Sequence, residues 1–252
     1  MSSQSRSGCT PRLLLVGEGE TEVGRAQSAR EEPNLSGAVL PHFLDRILDR
    51  NTPPSSMRRR FEVASVRKFS TIPVMQTWNQ ASPTPRQLPR NSDSQRIRRA
   101  MFLAKQHDCD GVVVLIDREH PNQPDRRERM CQGRAAYRND ATDSAPACAI
   151  GAACRCSETW LLADSQARAE VLGPNAGDPF SGDPEQRPPP RVLKAHISNC
   201  CQALGLGQHE AREALARNAR PAELRQRCST SYPPFADDVL AEIAPLTSSP
   251  AD

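Results

Sequence analysis

Leu13-Leu14-Leu15-Val16-Gly17-Glu18-Gly19-Glu20-Thr21-Glu22 is an apolar run that breaks into glycines carrying three carboxylates. A short unbroken apolar run closed by Gly17 and Gly19 reads as a strand covered on both faces, because such strands lose the polar alternation of half-exposed ones. Glu18 then stands at the strand's carboxyl end. In open α/β sheets ligands bind there, so an acid at that place is a candidate site residue.

The neighbouring segments supply the rest of a sheet. Gly111-Val112-Val113-Val114-Leu115-Ile116-Asp117 is a second buried strand that ends in an acid, and Ala147 to Ala153 is a third, made of small residues. Phe61 to Arg67 alternates apolar with polar residues, the pattern of a half-buried strand near a sheet edge. Helical periodicity is expected over 35–50, 94–107 with Ser92 or Asp93 as its cap, and 125–138. Ser157 is the expected cap of a helix starting at Glu158 and holding Trp160, Leu161 and Leu162. Helix followed by apolar strand makes parallel βαβ units, so the fold class is α/β: a Rossmann-like, mostly parallel central sheet with helices on both faces.

The order of segments predicts a disordered polar lead-in over 1–10 and an α/β domain over 11–172. A linker or flap rich in Pro, Gly and Asp follows over 173–190, then a helical C-terminal part over 191–246 packed on the same domain. Its helices are expected near 189–204, 208–219, 221–228 and 234–244.

With 252 residues the chain can bury a real core, although 37% hydrophobic and 4% aromatic residues with 23 prolines imply a modest one with long connections. The net charge of +3 argues for no partner by itself. The arginines are clustered, however, at Arg58-Arg59-Arg60, Arg96-x-Arg98-Arg99 and Arg126-Arg127-x-Arg129, as either phosphate-neutralising patches or a solvated basic surface. Nine cysteines without a regular framework, and no apolar core of a signal peptide at the N-terminus, predict a cytoplasmic chain with reduced thiols. No stretch approaches the ~18 apolar residues of a membrane span.

Asp117-Arg118-Glu119 places two carboxylates at i and i+2, on one side of an extended strand end. Acids gathered this closely repel one another, and a hard divalent cation, Mg²⁺ or Mn²⁺, resolves the conflict by taking oxygen ligands. Glu18 and Glu22 can form the other side of that metal site. The plainer reading is that Asp117 and Glu119 begin a solvated loop and that Glu20 and Glu22 decorate a helix N-terminus. Other chemistry is weaker. Cys148, Cys154 and Cys156 lack CxxC spacing, His196, Cys200 and Cys201 form no zinc motif, and His42 on an apolar helix reads as a packing residue. Gly17-x-Gly19 lacks the third glycine and the lysine of nucleotide-binding loops.

These acidic strand ends, together with Ser157-Glu158-Thr159-Trp160-Leu161-Leu162-Ala163-Asp164 after the third strand, resemble the Toprim fold, and more narrowly the Toprim-like DUF4276 family. Leu40-Pro41-His42-Phe43-Leu44 and the late Cys228 with Tyr232-Pro233-Pro234-Phe235 are similar to that group as well. The resemblance covers about 12–245 apart from 118–146 and 173–190. It implies the Mg²⁺ site of topoisomerases, bacterial primases, recombination mediators and overcoming-lysogenisation-defect nucleases. There Glu18 would act as metal ligand or general acid/base and Asp117 with Glu119 as metal ligands; Glu119 departs from the usual aspartate.

The implied activity is Mg²⁺-dependent hydrolysis of DNA or RNA phosphodiesters. Glu158 would complete a second metal site, and Arg118 and Arg155 would steady the phosphate charge. The resemblance also implies a setting in a defence system beside an ATPase partner. The alternative is a non-catalytic Toprim-fold adaptor that binds nucleic acid or that ATPase through its arginines. Topoisomerase- or primase-like chemistry ranks third, because Tyr137 and Tyr232 are expected in loop-like surroundings and no zinc ribbon is present.

Overall fold

A computed structural model describes residues 11–18, 20–23, 35, 37–48, 60–65, 92–118, 126–141 and 144–247. In chain order these form β1 (Arg12–Gly17), α1 (Glu20–Val23), α2 (Leu40–Leu48), β2 (Arg60–Ser65), α3 (Ser92–Gln106), β3 (Gly111–Arg118), α4 (Arg126–Asp140) and β4 (Ala147–Cys154). Then come α5 (Ser157–Ala163), α6 (Ser165–Leu172), α7 (Pro190–Leu204), α8 (Gln208–Asn218), α9 (Pro221–Arg227) and α10 (Tyr232–Asp238). A π-helical turn, Val239–Ile243, leads into α11 (Ala244–Thr247).

The strands form one parallel sheet in the order β2-β1-β3-β4. Burial on both faces explains why β1 and β3 are nearly unbroken apolar runs. Odd-numbered residues such as Leu13, Leu15, Val113 and Leu115 pack with α2, α5 and the C-terminal helices. Even-numbered ones such as Leu14, Val16, Val112 and Val114 pack with Ile97 and Met101 of α3 and Met130 and Tyr137 of α4. The expected α/β class with helices on both faces is therefore present, and β2 is an edge strand as its alternation predicts. The C-terminal helices share one core with the sheet.

This topology fixes where a ligand can enter. The chain moves from β1 to β2 by way of α2 on one face, then returns across β1 to β3 by way of α3 on the other. Right-handed crossovers running in opposite directions put their helices on opposite faces. A crevice opens where they diverge, between the carboxyl ends of β1 and β3.

Close contacts hold these elements in place. A Cβ on Gly17 would lie 2.5 Å from Glu22 Cβ, so only glycine lets α1 fold back onto the end of β1. A Cβ on Gly133 would lie 2.3 Å from the Ser94 carbonyl oxygen, so α4 crosses the start of α3 at backbone contact. Trp160 is the centre of the larger core. Its ring meets Tyr232 edge-on at 5.2 Å and Phe43 at 5.7 Å, stacks on Phe235 at 5.4 Å, and its indole N–H donates to Ser231 Oγ. Such pairs each contribute about 0.5–1.5 kcal/mol beyond burial.

Three expectations change. Ser157 does not cap α5; Cys156 occupies that position without a side-chain cap, and Ser157 is the first helical residue. Tyr137 and Tyr232 are buried within α4 and at the start of α10 rather than in loops. The stretch read as a linker or flap, 173–190, is pinned to the domain. Phe180 is buried, and the buried Glu185 carboxylate accepts from the N–H groups of Thr230 and Ser231 at 2.7 and 2.8 Å.

The outer edge of β4 is closed by carboxylates. Asp238 Oδ2 accepts from Ile150 N at 3.2 Å, and Glu242 Oε2 from Cys148 N at 3.4 Å. Arg127 and Arg134 pair with Asp238, and Arg138 with Glu242, so acids and arginines form a ladder along the strand. Bare strand edges invite pairing with other chains, and this ladder occupies the Cys148 and Ile150 donors of the edge instead.

Candidate functional site

Four acids surround the crevice between β1 and β3. Asp117 comes from the last turn of pleat in β3, Glu18 directly follows β1, Glu22 sits on α1, and Glu158 lies in the first turn of α5. Asp117 Oδ1 accepts from Ser157 N at 2.8 Å, and Ser157 Oγ reaches Glu22 Oε1 at 3.5 Å. Ser157 thus joins the ends of β1 and β3 through α5. Glu18 is the most solvent-facing of the four, whereas Glu158 is buried.

The electrostatics are unfavourable to charge on Asp117. Burial first, then the nearby carboxylates of Glu18, Glu158 and Glu22, push its carboxyl up from 3.8 to about 8, against the single opposing Ser157 N–H. The adjacent Cys156 thiol is also pushed up, by burial and by Glu158 and Asp117, and is inert as a nucleophile.

Cations hold the outer acids. Arg126 Nη2 lies 3.8 Å from Glu18 Oε1, its Nη1 donates to the Asp117 carbonyl, and its Nε donates to buried Asp93 at 3.3 Å. On the other flank Arg212 Nη2 is 3.0 Å from Glu158 Oε1 and Lys194 Nζ is 4.0 Å from the same oxygen. Among the described residues the buried Glu158 Oε2 has no hydrogen-bond partner.

No family model matches the chain, and no curated protein or solved structure is significantly similar to it.

The structure therefore brings together Glu18, Glu22, Asp117 and Glu158. Glu119 lies outside the described residues. The two expected phosphate-binding arginines point elsewhere. Arg118 is buried, and strand alternation turns it to the face opposite Asp117, beside Cys154. Arg155 has a left-handed backbone (φ 68°) and donates to the Gln186 carbonyl oxygen. Of the arginine clusters, Arg96 and Arg98 pair with Asp93 and Asp140, and Arg126, Arg127 and Arg129 pair with internal acids. The side chains of Arg58, Arg59 and Arg60 lie outside the described residues.

All four acids offer hard oxygen donors, the kind Mg²⁺ or Mn²⁺ takes. The orphaned Glu158 oxygen and the mutual repulsion at Asp117 fit a cation in kind. Arg126 and Arg212, however, already pair with Glu18 and Glu158, and no three His, Cys, Asp or Glu side chains converge as metal ligands among the described residues. His196 and Cys200 approach each other at 3.9 Å, and no third metal ligand joins them among the described residues. The eight cysteines among the described residues are free thiols. No helix among them is long and apolar enough to cross a membrane.

Sequence reasoning missed Arg126, Arg212 and Lys194 as neighbours of the acids. Arg126 was visible within its cluster; the others carried no local signal, because α7 and α8 reach the crevice only through tertiary packing.

Proposed function

We propose that the chain is a divalent-cation-dependent phosphodiester hydrolase acting on DNA or RNA, of Toprim type. The observation that supports it most is the gathering of Glu18, Glu22, Asp117 and Glu158 at the switch point of a parallel sheet, where burial and the three other carboxylates push the Asp117 carboxyl up. Structural acids are paired or hydrogen-bonded out of such conflict, whereas a strongly perturbed acid in a cleft is a functional candidate. The acids after β1 and at the end of β3, and the Ser157 to Asp164 motif after β4, also follow the Toprim pattern.

Bound Mg²⁺ or Mn²⁺ would polarise a phosphate and make a water more acidic at neutral pH. Glu18, Glu22, Asp117 and Glu158 are the residues to hold it. Ser157 N–H orients Asp117, and Glu18, the acid most open to solvent, is placed to accept a proton from an incoming water. Arg212 fixes Glu158 beneath them. An ATPase partner in a defence system belongs to this reading by family resemblance, and the cytoplasm by the cysteine usage of the sequence.

A second reading, a non-catalytic adaptor of the same fold, draws on the lack of converged metal ligands among the described residues. Incubation of the protein with plasmid, single-stranded DNA and transfer RNA in Mg²⁺ or Mn²⁺ separates the two. The hydrolase reading expects cleavage that EDTA stops and that falls at least ~100-fold in Glu18→Gln or Asp117→Asn. Cleavage that survives both substitutions, or no cleavage with or without an ATPase partner, leaves the adaptor.

A further inference from the structure

The crevice has one flank where positive charge exceeds what the acids need. Arg212 on α8 forms an ion pair with Glu158 at 3.0 Å and is largely covered. Lys194 on α7 stands 4.0 Å from the same oxygen, beyond hydrogen-bond reach, with its side chain 52% exposed. An ammonium carries three donors. Charge draws Lys194 to the rim while its donors remain turned to solvent. Arg191 is exposed and lies three residues earlier on α7, where side chains are neighbours. Leu193, Ile197 and Cys201 face the core and leave Arg191 and Lys194 on one outer flank of the helix. On the opposite side Arg126 is buried and committed to Asp93 and Glu18.

The geometry points to Arg191 and Lys194 as the contacts for neighbouring phosphates of a nucleic-acid strand, which lay one phosphodiester against the acids around Asp117. This rests on the phosphodiester reading above. It replaces Arg118 and Arg155 in that role, since one is buried and the other is tied to Gln186. Cβ atoms at i and i+3 are about 5–6 Å apart, and the reach of both side chains lets them engage adjacent phosphates of one strand. Contacts of this kind are blind to base identity, so DNA and RNA of mixed sequence should both bind.

The test is a fluorescence-anisotropy titration of labelled single-stranded DNA, single-stranded RNA and duplex DNA in EDTA over a range of salt concentrations. Each lost phosphate contact lowers the slope of log Kobs against log[salt] by about 0.7 on single strands. Arg191→Gln and Lys194→Gln should each lower it by about that amount, and the double variant by about 1.4. Lys194→Arg should keep the wild-type slope. Lys105→Gln removes an exposed charge at the end of α3, beside the amino end of β3, and should change nothing. A wild-type slope in the double variant, or an equal loss in Lys105→Gln, overturns the assignment while leaving the hydrolase reading in place. A wild type that binds no nucleic acid overturns both. Should the double variant melt well below wild type, Arg191→Gln decides, because its side chain is exposed.

Discussion

Asp117, which accepts from the first residue of α5 across the fold, and Asp164, at the join between α5 and α6, meet opposite environments. Asp164 is fully buried. Burial alone would raise it, but it accepts from Arg220 Nη2 at 2.7 Å, from the Gln166 and Ala167 N–H groups and from Arg220 N at 2.8 Å, and these hold it below the usual carboxylate range. Asp117 has one N–H donor against burial and three neighbouring carboxylates. The same residue type is thus a finished joint in one place and an unmet charge in the other. Asp238 and Glu242 on the β4 edge side with Asp164, since each is met by arginine and backbone N–H. Acids that hold the fold are each met by several donors; Asp117, in the crevice, has one N–H donor against burial and three carboxylates.

Substitutions can break this contrast. The largest effect is expected from Asp164→Ala, which removes the α6 cap and leaves Arg220 and its N–H unmet; a loss of about 3–5 kcal/mol in denaturant melts is expected. An effect under ~1 kcal/mol would show that Asp164 is no joint. Asp117→Asn should act in the opposite direction. Its folded-state value lies above its unfolded one, so the native chain keeps a proton that the unfolded chain releases between 3.8 and about 8. Its contribution is therefore greatest at the acid end of that window and is lost as pH rises through it. Subtracting the variant from wild type across pH 4–9 should give a difference that falls by a few kcal/mol and flattens above about 8. Addition of Mg²⁺ should raise the wild-type melting point more at pH 8.5 than at pH 6, because a cation displaces the proton.

Smaller effects sharpen the same division. Asp238→Ala strands Ile150 N–H and leaves Arg127 and Arg134 short of a partner, for an expected cost of about 1–3 kcal/mol by thermal melting. Arg138→Gln, at a half-open site on the same ladder, should cost ~1 kcal/mol or less.

Much of the fold was legible because its strands bury both faces. Leu13 to Val16, Val112 to Ile116 and Cys148 to Ala153 announce themselves as runs, and the C-terminal helices show their period. The α5–α6 break was not read from the sequence; Asp164 makes it by capping α6 through the Gln166 and Ala167 N–H groups and by pairing with distant Arg220. The acids of the crevice were also visible, since each stands at a strand end or directly after one. Their cations were not. Glu158 meets Lys194 and Arg212 across 36 and 54 residues, a proximity set by how α7 and α8 pack on α5 and by nothing local. For Arg118 the strand period was the better guide: alternation from Asp117 turns it away from the crevice.

The ladder along β4 also bears on how the chain would survive acid. Ala147 to Ala153 is a flat, uncharged run of small residues, the sort that templates cross-β growth when its edge is bare. Its protection consists of ionised caps, with Glu242 held below the usual range by Arg138, the Cys148 N–H and Arg134 once burial is overcome. Colloidal behaviour is thereby tied to protonation. In sufficiently acid solution the edge would lose its gatekeepers before the core loses its packing, and copies of the chain would have a surface on which to stack.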